Sequence, residues 1–72
     1  MIANKLYVGN LYLRAGKDQL KELFARYGDV KNVELIEGTG FGFVEMSSQD
    51  EAEQAKQALD GSEFLDRVIR VK

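Results

Sequence analysis

Gly40-Phe41-Gly42-Phe43-Val44-Glu45-Met46 alternates with the period of two that belongs to a strand, where successive side chains leave opposite faces of a sheet. Gly42, Val44 and Met46 fall on one side and suit a core, while Phe41, Phe43 and Glu45 put two rings and a charge on the other. Working outward, Val30 to Ile36 alternates likewise, with Val33 and Leu35 against Asn32, Glu34 and Ile36. Glu37-Gly38-Thr39 is the short turn between these runs. Lys5 to Gly9 is a strand with Leu6 and Val8 inward and Lys5, Tyr7 and Gly9 outward. Arg67 to Lys72 is the last strand, with Ile69 and Val71 opposite Val68, Arg70 and Lys72.

Two segments change period. From Lys17, the residues Leu20, Leu23, Phe24 and Tyr27 form one helical stripe, and Gly28 is placed for a left-handed C-terminal cap. Asn10 to Gly16 is the loop before it, and Gly42 is expected to let the sheet approach a helix closely. Ser48-Gln49-Asp50-Glu51 has capping-box spacing and opens a second helix, whose stripe is Ala52, Ala55 and Leu59, with Ala58 beside it and Gly61 closing it. The order is βαββαβ. Narrow helical stripes must be buried against one sheet face, which predicts a two-layer sandwich with its other face free.

That free face carries Tyr7, Phe41 and Phe43 among Lys5, Glu34, Glu45, Arg70 and Lys72. Further protein packed there would not bury so many charges, and an ordinary solvent face would not carry two Phe and a Tyr. Rings interleaved with charges suit a flat, anionic ligand, and single-stranded nucleic acid fits that description.

Composition narrows the alternatives. The chain has 72 residues and no Pro, Cys, His or Trp, so disulfides, thiolate chemistry, imidazole catalysis and zinc-finger spacing are all excluded. We expect a single domain over residues 1–72, monomeric in isolation, intracellular, and with no cofactor, metal or catalytic residue. No apolar run is long enough for a membrane span, and Met1-Ile2-Ala3-Asn4-Lys5 has neither the charged region nor the apolar stretch of a signal peptide. The net charge of −2 is uneven. Ser47 to Glu63 holds five acids and one base, a net of −4, and the remainder holds nine bases and seven acids, a net of +2. Gly38-x-Gly40-x-Gly42 leads into a strand, so it is not a phosphate loop. The βαββαβ layout also occurs in small phosphatases, where Arg14 and Asn10 of the first loop would have to converge.

Leu6-Tyr7-Val8-Gly9-Asn10-Leu11 resembles the hexapeptide of the RNA recognition motif family, and Thr39-Gly40-Phe41-Gly42-Phe43-Val44-Glu45-Met46 resembles its octapeptide. The resemblance extends through Phe24-x-x-Tyr27-Gly28 and Ala55-x-x-Ala58-Leu59-x-Gly61. It implies a ferredoxin-like α+β fold, with a four-stranded antiparallel sheet whose first and third strands are central. It further implies stacking of RNA bases on Tyr7 and Phe43, with Phe41 against a ribose. Lys5, Arg70 and Lys72 are the candidates for phosphates or base edges. The implied partner is single-stranded RNA, with single-stranded DNA of the same chemistry, in RNA processing or post-transcriptional regulation. The competing use of the rings is a protein partner or self-association. Two departures bear on affinity. Thr39 stands where the octapeptide usually opens with Lys or Arg, and the turn before it adds Glu37 instead of a basic loop. Asp66 stands at a turn position where Gly is common.

Overall fold

The computed structural model describes residues 4–36 and 38–72, so Met1 to Ala3 and Glu37 of the expected turn lie outside the described residues. Along these residues run β1 (Lys5–Gly9), α1 (Lys17–Ala25), β2 (Val30–Ile36), β3 (Phe41–Met46), α2 (Gln49–Leu59), β4 (Glu63–Phe64), β5 (Arg67–Val68) and β6 (Arg70–Val71). The main sheet is antiparallel in the order β2-β3-β1-β6, which makes β1 and β3 central. This is the α+β, two-layer arrangement that the periodicities and the resemblance imply. No helix among the described residues is long and apolar enough to cross a membrane.

The core lies between the helices and one sheet face. Leu20 and Phe24 from α1 and Ala52, Ala55 and Leu59 from α2 are buried against Leu6, Val8, Val44, Met46, Ile69 and Val71. Tyr27 and Phe64 pack against this cluster from its edge. Burying a large apolar side chain contributes about 1.5–3 kcal/mol, so in a chain this small the core face has little residue to spare. Leu11, expected in the loop, is also buried: its N–H donates to the Gly40 carbonyl at 2.9 Å and its side chain closes the core beside Gly42.

The last strand is not continuous. β4 and β5 pair as a separate hairpin, Glu63 with Val68 and Phe64 with Arg67, and only Arg70–Val71 joins the sheet beside β1. The chain changes partner at Ile69, whose N–H donates to Ser62 at 2.9 Å and whose carbonyl accepts from Gly61 at 2.8 Å. The Ile69 side chain meanwhile fills the core. Val68 therefore belongs to the hairpin, half exposed, and not to the ladder of the open face.

Two glycines act differently from expectation. α1 ends at Ala25 with Arg26 as its C-cap, and Gly28 has a φ of 156°, far from a left-handed helical cap. A Cβ there would come within 2.6 Å of the Glu51 stem, so Gly28 allows the chain after α1 to meet the start of α2. Gly42 makes its close approach to a strand instead of a helix. Its Cβ would lie 2.7 Å from the Glu34 carbonyl oxygen and 3.0 Å from Leu35 Cδ2.

The second helix starts at Ser48 as expected, the Ser48 hydroxyl accepting from the Glu51 N–H at 3.2 Å. The Glu51 carboxylate turns to the Ser47 hydroxyl, so only half of the box forms. That hydroxyl is the main reason the Glu51 carboxyl is held below its usual range, with the Asp29 and Ser47 backbone N–H groups adding to it.

Candidate nucleic-acid interface

Tyr7 and Phe43 are Cα partners across β1 and β3, with ring centroids 5.5 Å apart and planes at 68°. Tyr7 and Phe41 are likewise 5.5 Å apart, tilted by 31°. All three rings lie on the face away from the helices, because the alternating neighbours Leu6, Val8, Gly42 and Val44 are committed to the core. Phe41 is 41% exposed, and Tyr7 and Phe43 are half-buried by one another and by the strands. Gly9 forms their floor: a Cβ on it would sit 3.4 Å from the Phe41 ring and 3.5 Å from the Tyr7 ring. The result is one tiled aromatic surface built on bare backbone.

The charges around it are ordered by strand. Lys5 Nζ lies 5.4 Å from the Phe43 centroid, within cation–π range. Lys72 extends the ladder beyond β6, exchanging both backbone hydrogen bonds with Tyr7 at 2.8 Å. On the opposite flank Glu34 is registered with Phe43, and Glu45 with both Lys5 and Asn32. Lys5, Tyr7, Phe41, Phe43 and Lys72 thus share one surface. Arg70 is partly engaged, its Nε 3.5 Å from Asp60 Oδ1. Exposed pairs of this kind contribute about 0–1 kcal/mol, so Arg70 can exchange Asp60 for a ligand anion at little cost.

A family model described as the RNA recognition motif matches residues 6–70. The chain belongs to the RNA recognition motif family. RbpA of Nostoc sp. (strain PCC 7120 / SAG 25.82 / UTEX 2576) is 44% identical over 72 residues, an alignment covering 92% of this chain and 71% of that protein. The structure of the C. elegans NONO-1 homodimer is similar with a TM-score of 0.91 at 38% identity, over 97% of this chain and 28% of that one. The first two RRM domains of the yeast poly(U)-binding protein Pub1 give a TM-score of 0.89 at 28% identity, over 94% of this chain and 44% of that one. The chain therefore spans less than half of either solved chain.

Within this RNA recognition motif, the departure at Thr39 has a local physical reason. Its hydroxyl donates to the Ile36 carbonyl at 2.7 Å and accepts from the Phe41 N–H at 3.3 Å, bracing the tight β2–β3 connection. A Lys or Arg would bring charge to that position and give up the brace. The phosphatase-like convergence of Asn10 with Arg14 does not occur. The Asn10 amide donates to the Val68 carbonyl at 2.6 Å, and its Oδ1 accepts from Arg67 at 2.7 Å. Arg67 is the charged residue beside the platform that sequence reasoning passed over. It stands 57 positions from Asn10, and no short-range pattern marks such a pair.

Proposed function

We propose that this RNA recognition motif binds single-stranded RNA by stacking successive bases on Tyr7 and Phe43, with Phe41 against the intervening ribose. The supporting observation is the tiled ring surface on the helix-free face, two ring pairs at 5.5 Å with Lys5 and Lys72 at its margins. Yeast Pub1 is a poly(U)-binding protein, and membership of the family points the same way. Each base–aromatic stack contributes about 1–3 kcal/mol. Two stacks supply about 2–6 kcal/mol, which ends near tens of micromolar at best. Lys5, Lys72 and Arg70 add phosphate or base-edge contacts. A role in RNA processing or post-transcriptional regulation rests on the family resemblance alone.

The test is a titration of the full chain with a mixed-sequence RNA oligonucleotide pool, followed by backbone chemical shifts. Shifts are expected on β1, β3 and β6. Tyr7→Ala and Phe43→Ala should each weaken binding by about 5- to 150-fold. Each also loses ring–ring contact, so a stability loss of about 1 kcal/mol is expected, well short of the about 3–5 kcal/mol for deleting a core Phe. Shifts confined to the helices would sink the reading. Concentration-dependent sedimentation that disappears in Phe41→Ala would replace RNA with a second copy of the chain.

A further inference from the structure

A chain of net charge −2 needs a local reason to hold a polyanion, and one groove supplies it. Between the platform and the β4–β5 hairpin lies a space of about 550 Å³ bordered by Tyr7 and Phe41 on one side and Asn10, Arg67, Arg70 and Lys72 on the other. Three cations and no carboxylate line it among the described residues. Arg70 is drawn towards Asp60, and Lys72 is an exposed ammonium at the rim. Arg67 differs from both, because its guanidinium is already oriented. Its Nε donates to the Asn10 carbonyl at 3.2 Å and its Nη2 to Asn10 Oδ1 at 2.7 Å.

Asn10 is shaped for this hold. Its φ of 59° lies in the left-handed region, which Asn tolerates better than most residues, and this turns its backbone carbonyl and its side chain towards the same partner. The amide end is fixed in turn on the Val68 carbonyl at 2.6 Å. A guanidinium has five N–H donors, of which Asn10 takes two. Among the described residues no carboxylate comes within ion-pair distance of Arg67, and the residue is exposed. An arginine fixed in advance loses less rotamer freedom on binding, and its planar fork matches the oxygens of a phosphate.

We propose that Arg67, seated by Asn10, binds a backbone phosphate of the strand whose base stacks on Tyr7, and so fixes the path of that strand over the β6 margin. This rests on the stacking reading above and adds a phosphate seat to it. Neither the stacking rings nor the charged positions expected from the sequence include these two residues.

The experiment is equilibrium binding of a mixed-sequence hexanucleotide RNA pool at several salt concentrations, with thermal melting of every variant. Arg67→Ala is expected to weaken binding about tenfold and to make the slope of log affinity against log salt shallower by about 0.7, the signature of one lost phosphate contact on a single strand. Arg67→Lys should keep the wild-type slope yet bind several-fold more weakly, because an ammonium cannot be held in the fork. Asn10→Ala should reproduce the Arg67→Lys result, leaving the charge in place but its orientation free. An Arg67 that merely ties down the hairpin would lower the melting temperature and affinity with the slope unchanged, and that outcome overturns the phosphate seat. If wild type binds, Tyr7→Ala fails to bind and Arg67→Ala shows the wild-type slope, this proposal falls while the stacking reading stands. Absence of any binding by wild type overturns both.

Discussion

The two margins of the sheet solve opposite problems. The β2 margin is long and regular, paired with β3 from Val30 to Ile36 with one irregularity between Val30 and Asn32. Its open face shows Asn32, Glu34 and Ile36, an amide, an acid and an exposed aliphatic. The β6 margin is short, two residues against β1 plus the Tyr7–Lys72 exchange, and it is propped by the β4–β5 hairpin. Yet that margin carries Arg67, Arg70 and Lys72. The regular ladder thus supports the rings, while cationic charge gathers where the ladder is weakest. An anionic strand crossing the rings should therefore be held tightly on the β6 side and loosely, or against repulsion, on the β2 side.

Breaking the β2 margin at its closest approach should have the largest effect. Gly42→Ala sets a methyl carbon 2.7 Å from the Glu34 carbonyl oxygen, a backbone atom that cannot step aside as a side-chain tip would. Such crowding costs about 1–3 kcal/mol. In a domain this small each kcal/mol lowers the melting temperature by about 4–8 °C. Thermal melting reads the sum, and amide exchange should show the β2 protons losing protection first. A variant melting within a degree of wild type would mean that β2 and β3 do not depend on their contact at Gly42.

Recharging the β2 margin is a smaller step and addresses the comparison directly. Glu34 is exposed and registered with Phe43, so Glu34→Lys should change stability by no more than about 0.5 kcal/mol. If the strand passes over both margins, affinity rises a few-fold and the salt slope steepens by up to about 0.7. An unchanged slope would place the bound strand wholly on the β1–β6 side.

The asymmetry between the margins also explains which parts of the molecule were legible in the sequence. On β1 and β3 every side chain alternates cleanly, so the face bearing Tyr7, Phe41 and Phe43 follows from period two alone, whereas the central placing of those strands came with the resemblance. The β4–β5 hairpin escaped because strands of two residues show no period, and its turn, Leu65-Asp66, lacks the Asn-Gly signature of a two-residue hairpin. Leu11 does lie in the loop, but its burial depends on Gly40 and Gly42, about thirty positions away, and nothing local reveals that. The Asn10–Arg67 hold was hidden for the same reason. Gly28 was legible as a special position but not for its cause, since the Glu51 stem that demands it arrives from the second helix.

The smallest expected effect concerns the prop beneath the β6 margin. Leu65 and Asp66 both have positive φ, 52° and 64°, the pair of signs that a type I′ hairpin turn requires. Asp accepts this conformation moderately well, but Leu has no side-chain hydrogen bond to offset it, and Leu65, at 37% exposed, is only partly covered there. Replacing the pair by Leu65→Asn with Asp66→Gly matches the residues to the turn and should raise stability by about 0.5–1 kcal/mol, a few degrees in melting temperature. The hairpin amides should exchange more slowly, while β2 amides change only in proportion to global stability. Because Phe64 and Arg67 close the same turn, a firmer hairpin also steadies the backbone that carries Arg67. Binding should then tighten slightly or stay constant, never weaken. A lower melting temperature would mean that the Leu65 side chain contributes more by packing than its left-handed backbone costs, and that the weak margin is held by hydrophobic contact and not by its turn.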